Sequence, residues 1–221
     1  MVGLKGVDIQ INRGEVLGLV GENGAGKSTL MKIMSGFDSG FTGEVFVDGR
    51  AVELGSPNKA QALGIAIAQQ ELSLIPTLSV AENIFLGGNH GPTIASLSTL
   101  SKLAKPFLDQ VGLNDIDPKA PVHRLSVGES HLVEVARLVA HNPQLLILDE
   151  PTAALSETDS ERILNLVNRL KANGKSIIYV SHRLDEIFKI ADRVTVLRDG
   201  ASQATKLASE LDVPNLVTLM L

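Results

Sequence analysis

The chain has 221 residues, of which 44% are hydrophobic and 20% charged, and its formal net charge is −5. This composition excludes a disordered chain. The length of the chain is sufficient for one domain with a subordinate lobe. A nucleic-acid binder usually carries a basic excess or a basic stripe, and this sequence has neither, so we expect no nucleic-acid partner. The absence of cysteine excludes disulfides and thiolate metal sites and fits a reducing compartment.

Two further patterns concern membranes. No apolar run approaches the roughly 18–20 residues that span a bilayer. The N-terminus lacks the charged region and apolar stretch of a signal peptide. We therefore expect a soluble, cytosolic protein, whose membrane role would come through a partner.

The first third of the chain centres on a glycine-rich loop. Residues 4–20 are predicted to form two short strands around the turn at 12–14, and the apolar run 16–20 leads into the loop at 21–29. A helix follows to about Gly36, and it opens with the apolar residues Leu30, Met31, Ile33 and Met34.

The loop is a complete G-x-x-x-x-G-K-S/T motif, which binds the phosphates of a nucleoside triphosphate. Its glycines allow close backbone approach, and successive N–H groups and the start of the helix attract an anion. Lys27 is expected to reach the β and γ phosphates and the Ser28 hydroxyl to ligate Mg²⁺. The alternative is a glycine-rich turn with an incidental lysine, and the motif does not separate a kinase, a GTPase and an ATPase. Its residues are Gly21, Glu22, Asn23, Gly24, Ala25, Gly26, Lys27, Ser28 and Thr29.

The middle of the chain changes character. Residues 44–49 alternate like an edge strand that ends in a turn, and residues 65–68 are a short buried strand. From about 71 to 140 the pattern indicates helices and loops without a strand, which predicts an inserted helical lobe. The glycine- and proline-rich stretch 87–92 is predicted to be an exposed loop in it.

The last third alternates strands and helices. Residues 145–148 are continuously apolar, as in a parallel strand covered on both faces, and further strands are predicted at 176–180 and 193–197. Residues 156–159 resemble a helix start. This alternation predicts an α/β fold with a mostly parallel sheet and helices on both faces. One helical face comprises Ile163, Leu166, Val167 and Leu170.

Chemically active side chains follow the predicted strands. Asp149 and Glu150 come directly after 145–148, where α/β sheets place their ligands. We expect Asp149 to hold Mg²⁺, directly or through water, and Glu150 to accept a proton from, or polarise, an attacking water. The alternative, two solvated acids that cap the next segment, is disfavoured beside a buried strand and a phosphate loop.

Two more polar residues follow strands. His182 is expected to contact a γ-phosphate or to orient the attacking water, although a histidine at a strand end is by itself more often structural. Gln70, after residues 65–68, has an amide that can contact Mg²⁺ or water, which alone is a weak signal.

A second anion site is predicted at residues 125–129, which read Leu-Ser-Val-Gly-Glu before an apolar helical face. Ser126 and the N–H groups of the helix start would form it, and the alternative is a capped helix without a ligand. Two phosphate-binding helix starts beside one phosphate loop are explained if ATP is sandwiched between two such domains, each of which supplies one start.

The order of these motifs resembles the nucleotide-binding domain of ABC transporters, over essentially the whole chain. The series is GENGAGKST, AQQEL, LSVGE, LLILDEPT, ALSETD and VSHRL. The stretches GENGAGKSTLMKIMSG, QQELSLIPTLSVAENIFLG and SHRLDEIFKIADRVTVLRDG are similar to the ATP-binding subunit of bacterial sugar importers of the ribose/xylose/galactose type. The resemblance implies a P-loop NTPase with a mostly parallel central sheet, an N-terminal antiparallel β subdomain and an inserted helical lobe. It implies one domain, with a core at 1–70 and 141–221 and the lobe at about 71–140.

The resemblance also assigns roles. Residues 21–29 match the Walker A loop, Gln70 the Q-loop glutamine that senses Mg²⁺ and the membrane partner, and Asp149 the Walker B aspartate. Glu150 matches the catalytic glutamate and His182 the switch histidine.

Further assignments concern partners. Ser126, Val127, Gly128 and Glu129 match the signature, in which Ser126 and Gly128 contact ATP bound by an opposing domain, and residues 154–156 lie in the D-loop. The implied partners are ATP with Mg²⁺, a second ABC ATPase domain and an integral membrane permease. The permease would be gripped through the helical lobe near Gln70, which would place the chain at the inner face of the cell membrane.

The sequence departs from the family pattern in three ways. The signature is LSVGE rather than LSGGQ, so Val127 replaces a glycine. The aromatic residue that stacks on adenine is expected upstream of Met1, and Leu4 and Val7 cannot stack. This importer type carries two halves in one chain, and the sequence resembles the first half and stops at Leu221, which indicates a truncated chain. Weak adenine binding and low isolated activity are therefore predicted.

The resemblance implies an ATPase module that powers import of a sugar or similar small solute. One alternative is a soluble ABC ATPase that acts as a clamp on ribosomes or DNA, which the net charge of −5 disfavours. Another is a small-molecule P-loop kinase, which would not need LSVGE or the D-loop and would transfer phosphate to an acceptor other than water.

Overall fold

A computed structural model describes residues 3–68, 72–87 and 95–221. In chain order its helices and strands are β1 (Val16–Val20), α1 (Lys27–Met34), β2 (Val45–Val47), β3 (Arg50–Val52), α2 (Pro57–Ala62), β4 (Ile65–Ala68), α3 (Val80–Phe85), α4 (Leu97–Val111), α5 (Val127–Ala140), β5 (Leu145–Asp149), α6 (Glu157–Ala172), β6 (Ser176–Val180), α7 (Leu184–Ile190), β7 (Arg193–Arg198), β8 (Ala201–Leu207) and α8 (Val213–Met220). Short 3₁₀ turns lie at Val122–Arg124 and Ala208–Glu210.

The chain divides into two compact units. The core unit consists of Met1–Ile67, Gln144–Glu150 and Leu170–Leu221. The helical unit consists of Ala68–Pro143 and Pro151–Arg169.

The main sheet has six strands in the order β4-β5-β6-β1-β7-β8. β1 runs parallel to β6 and β7, and β5 runs parallel to β6, whereas β8 is antiparallel to β7. Every residue of β1 and β6 is buried, and β1 and residues 177–180 of β6 accordingly read as continuous apolar runs. The prediction of an α/β fold with a mostly parallel central sheet is confirmed. Because β1, β5 and β6 run the same way, their carboxyl ends lie at one edge.

The predicted strand ahead of β1 was wrong. Val7, Ile9 and Ile11 alternate and pack against the core cluster of the sheet. Their backbone has no ladder partner in the described part of the chain, apart from an isolated bridge between Gly6 and Ala201. Alternation in the sequence indicates which side chains face inward, but it does not supply a neighbouring strand.

The predicted strand at 44–49 is confirmed, and it pairs with a strand that the sequence did not reveal. β2 and β3 form a separate antiparallel hairpin in which Val45 lies opposite Val52. Asp48 and Gly49 join them with φ of 51° and 73°, the left-handed conformation that tight hairpin turns require. This hairpin is the antiparallel sheet that was expected in the N-terminal part.

The helical unit contains α3, α4 and α5, which pack on one another. No strand occurs among residues 72–87 and 95–140, in agreement with the prediction for this region. Of the predicted exposed loop at 87–92, only Gly87 lies in the described part.

Helix α6 starts where the sequence predicted. The Ser156 hydroxyl accepts a hydrogen bond from the Asp159 amide at 3.2 Å, and the predicted apolar face is buried.

Across the described residues, none of the helices combines the length and the apolarity needed to cross a bilayer.

Candidate functional site

Three loops of the core unit leave the sheet at one edge. β1 leads from Val20 into the glycine-rich loop, β5 ends at Asp149 and β6 ends at Val180. Val180 pairs with Leu19 of β1 and with Asp149 of β5. The strand order therefore brings the phosphate-loop motif, the acidic pair and the residues after β6 to neighbouring positions.

The glycine-rich loop has a backbone that needs its glycines. Gly26 has a φ of 104° and is the N-cap of α1, which has no side-chain cap. A Cβ at Gly21 would lie 2.3 Å from the Leu197 carbonyl oxygen. The first N–H groups of α1 thus lack the acceptor that a serine or aspartate cap would supply, which suits a helix start that binds a phosphate.

Lys27 lies inside this loop and is only 8% exposed. Its Nζ donates to the carbonyl oxygens of Gly21 at 2.7 Å and Glu22 at 3.1 Å. Burial lowers the pKa of Lys27, while Glu150 and Asp149 act in the opposite direction. Since an ammonium has three donors, Lys27 can keep both carbonyl contacts and still donate to a phosphate oxygen.

The two acids of the pair are constrained in different ways, Asp149 by partial burial and Glu150 by its backbone. Burial raises the pKa of Asp149, as does the neighbouring Glu150, and Lys27 opposes both effects. Glu150 has a φ of 49°, a left-handed value that costs free energy for a residue with a side chain. Its amide donates to the Val180 carbonyl oxygen at 3.0 Å, so the backbone of Glu150 is fixed to the end of β6.

Glu150 and His182, predicted separately from two strand ends, lie together. The Nδ1 atom of His182 is 3.4 Å from Oε2 of Glu150. The His182 side chain is 59% exposed and that of Glu150 is 19% exposed. The imidazole therefore faces solvent on one side and can orient the carboxylate on the other.

The donor chemistry at this edge fits Mg²⁺. Mg²⁺ prefers oxygen ligands and is commonly held by one or two carboxylates together with phosphates and water. Asp149 and the exposed Ser28 hydroxyl offer such oxygens. Within residues 3–68, 72–87 and 95–221, His, Asp and Glu side chains form no group of three that would hold a metal on their own. Gln70, the third predicted ligand, lies outside the described residues.

The second predicted anion site, in the helical unit, is a helix start with a complete capping box. The Ser126 hydroxyl accepts from the Glu129 amide at 3.2 Å, and Oε2 of Glu129 accepts from the Ser126 amide at 2.7 Å. A Cβ at Gly128 would lie 2.5 Å from the carboxyl carbon of Asp159, so the position excludes a side chain. Val127 is 56% exposed.

The sequence did not reveal a group of polar residues around His182. Glu186 in the first turn of α7 is 1% exposed and contacts Tyr179, Ser181 and Arg183. Nothing in the local sequence indicates its burial, because an acid in the first turn of a helix is ordinarily solvated there.

Known proteins identify the group to which this arrangement belongs. A family model described as ABC transporter matches residues 4–153. The chain belongs to the ABC transporter family. The resemblance inferred from the motifs is confirmed.

Named relatives of this ABC transporter chain are ATP-binding proteins of import systems. It is 45% identical over 218 residues to the ribose import ATP-binding protein RbsA of Chromobacterium violaceum, covering 98% of the chain and 43% of that relative. It is 43% identical over 222 residues to the xylose import ATP-binding protein XylG of Brucella abortus (strain 2308), with coverage of 98% and 43%. The chain thus spans less than half the length of these relatives.

Solved structures of the family share its fold. The ADP conformation of MJ1267, an ATP-binding cassette of an ABC transporter, matches with a TM-score of 0.85 at 27% identity, over 98% of this chain and 91% of that one. A dimeric post-hydrolysis state of the cassette MJ0796 bound to ADP and Pi matches with a TM-score of 0.80 at 28% identity, over 93% and 90%.

Proposed function

We propose that the chain is an ATP-binding and ATP-hydrolysing module that powers import of a sugar or similar small solute through an ABC transporter. The observation that carries the proposal is the 3.4 Å approach of His182 to Glu150 at the sheet edge that also bears the phosphate loop. The relatives, named as ribose and xylose import ATP-binding proteins, favour this function over a clamp on ribosomes or DNA.

Nucleotide binding would fall to the glycine-rich loop. The backbone N–H groups of residues 21–29 and the uncapped start of α1 would hold the phosphates, with the Lys27 ammonium on the β and γ phosphates. Ser28, Asp149 and Gln70 would hold Mg²⁺, which when bound neutralises charge on the phosphates.

Hydrolysis would depend on Glu150 and His182. The Glu150 carboxylate accepts a proton from the attacking water, and its backbone conformation fixes where that carboxylate lies. His182 orients the carboxylate through Nδ1, which leaves Nε2 to accept a hydrogen bond from the water or, in the imidazolium form, to donate one to a phosphate oxygen. Water, rather than a second substrate, is the acceptor in this scheme, which separates it from a kinase.

The partners would follow from the family. A second ABC ATPase domain would pair with this one, and the dimeric cassette bound to ADP and Pi supports such a pair. Ser126 and Gly128 would contact the nucleotide of the second domain across the interface. The helical lobe at about 71–140, near Gln70, would contact a membrane permease and so hold the chain at the inner face of the membrane. The core at 1–70 and 141–221 would complete one ATPase domain with this lobe.

The experiment is the substitution Glu150→Gln, followed by calorimetric binding of MgATP and by release of inorganic phosphate. We expect Glu150→Gln to retain ATP binding and to lose hydrolysis, because the amide cannot accept the proton. Glu53→Gln is the matched control, since the Glu53 side chain is 93% exposed, and it should behave as the unaltered chain does. Undiminished phosphate release by Glu150→Gln would contradict the role of Glu150.

A further inference from the structure

A buried carboxylate lies directly behind the loop that carries His182. Glu186 is 1% exposed, and its Oε2 accepts hydrogen bonds from the Tyr179 hydroxyl at 2.9 Å and the Ser181 hydroxyl at 3.2 Å. Its Oε1 forms an ion pair with Nη1 of Arg183 at 2.8 Å. A buried carboxylate is tolerated only when it is paired and hydrogen-bonded, and these three partners meet that requirement.

The partners of Glu186 lie on both sides of His182 in the chain. Ser181 precedes His182 and Arg183 follows it, and the Ser181 hydroxyl also accepts the Arg183 amide at 3.0 Å. The short segment 181–183 is therefore tied to one carboxylate at each end. The freedom left to His182 is mainly that of its own side chain.

The same network is anchored to the rigid part of the sheet. Tyr179 is fully buried in β6, where it pairs with Gly18 of β1 and Leu148 of β5. The Glu150 amide bonds to the carbonyl oxygen of Val180, the next residue of β6. Both members of the Glu150–His182 pair are thus positioned from β6, Glu150 through its amide and His182 through Glu186.

We propose that Glu186 is a positioning residue for ATP hydrolysis: with Tyr179, Ser181 and Arg183 it holds the His182 loop so that Nδ1 reaches the Glu150 carboxylate. The effect of Glu186 on turnover rests on the proposed function, whereas its effect on the imidazole does not. The competing explanation is purely structural, because an acid in the first turn of α7 also stabilises that helix.

A double-mutant cycle separates these explanations. The turnover number and KM for MgATP are measured for the unaltered chain, Glu186→Gln, His182→Ala and the double variant. We expect Glu186→Gln to lower kcat by about 10- to 100-fold with little change in KM, since small misplacements of catalytic groups have effects of this size. In the His182→Ala background the same substitution should have almost no effect, because the group it positions is gone. An equal loss in both backgrounds would overturn the proposal, whereas full turnover by His182→Ala would overturn the catalytic role of His182.

A readout without turnover tests the geometry itself. The ring nitrogen resonances of the ¹⁵N-histidine-labelled chain report the tautomer of each histidine. The resonances of His182 are those that disappear in His182→Ala. We expect His182 to carry its proton on Nδ1, facing Glu150, and to lose this preference in Glu186→Gln. An unchanged His182 spectrum in folded Glu186→Gln would overturn the proposal.

Glu15 provides the matched control. It is 6% exposed, it accepts the Asn12 amide at 2.6 Å, and its Oε1 lies 3.3 Å from Nη1 of Arg193. It precedes β1, at the opposite end of the strands from His182. Glu15→Gln should lower the urea midpoint as Glu186→Gln does, but leave kcat and the His182 resonances unchanged. If Glu15→Gln changed these in the same way, general loosening of the sheet would explain both variants and the proposal would fail.

Discussion

We propose that the starts of helices α1 and α5 both bind nucleotide phosphates, but their first turns are built differently. α1 follows Gly26 and has no side-chain cap. α5 follows Ser126 and has a complete capping box, in which Glu129 returns a hydrogen bond to the Ser126 amide. The N–H groups of α1 are thus offered to an outside anion, whereas two of the N–H groups of α5 already have acceptors.

The difference in capping indicates which nucleotide phosphate each helix start would bind. A phosphate at α1 would meet a lysine and uncapped N–H groups, so we expect one chain to bind a nucleotide there by itself. A phosphate at α5 would meet the carboxylate of Glu129, which repels it, so we expect this helix start to contribute only when a partner's nucleotide is brought to it. Helix α3 has the same capping box, formed by Ser79 and Glu82, which provides a reference without a proposed ligand.

The largest expected effect comes from a change at the start of α1. Gly26→Ala places a side chain at a φ of 104° and a Cβ 2.6 Å from Cδ2 of Leu4. Strain of about 1–2 kcal/mol in the loop corresponds to a roughly 5- to 30-fold loss of affinity for MgATP, measured by calorimetry. Gly174→Ala is the control, because its φ is also positive, at 79°, but a Cβ there has open space. Equal affinities of the two variants would contradict the account of the loop.

The next effect compares the two capping boxes. Ser126→Ala and Ser79→Ala should each lower the free energy of unfolding by about 1 kcal/mol, because each removes the acceptor for one amide. Only Ser126→Ala should also lower ATP hydrolysis, since its hydroxyl is the one expected to meet the partner's nucleotide. Urea unfolding and phosphate release measure the two effects. A parallel loss of hydrolysis in Ser79→Ala would show that the capping of the helical unit, rather than a contact of Ser126, limits turnover.

The smallest effect concerns pH. Hydrogen bonds from the Ser79 hydroxyl and amide lower the pKa of Glu82 below its usual value of 4.5. A carboxyl with a lowered pKa in the folded state stabilises the fold above its unfolded pKa, and this contribution is lost as the pH falls through the folded pKa. Glu82→Gln should therefore be slightly less stable than the unaltered chain above the usual pKa of a glutamate, and the difference should disappear as the pH falls through the lowered pKa of Glu82. A difference that persisted at the lower pH would show that the charge of Glu82 is not its source.

Elements with local signatures could be predicted from the sequence. The apolar runs that became β4 and β6 have the predicted bounds, since turns and polar residues delimit them. β8 has mostly exposed residues and no clear alternation. It forms because its backbone pairs with β7 in an antiparallel ladder. The failed strand between residue 4 and the turn at 12–14 is the converse case, in which alternation was present but no ladder formed.

The candidate site shows the same division. The sequence predicted that Glu150 and His182 each follow a strand, but only the strand order, with β5 beside β6, brings them within 3.4 Å. The burial of Glu186 depends on contacts with Tyr179 and Ser181 at the end of β6, which the sequence pattern around Glu186 does not reveal. Predictions of weak adenine binding and low isolated activity remain to be measured.

The most direct test of the central claim is a calorimetric titration of MgATP into this chain and into Lys27→Ala. We expect saturable binding to the unaltered chain that is lost in Lys27→Ala, because the Lys27 ammonium lies within the phosphate loop at 2.7 Å from the Gly21 carbonyl oxygen. Circular dichroism confirms that both proteins are folded. Equal binding by the two folded proteins, or no saturable binding by the unaltered chain, would contradict the assignment of this loop as the nucleotide site.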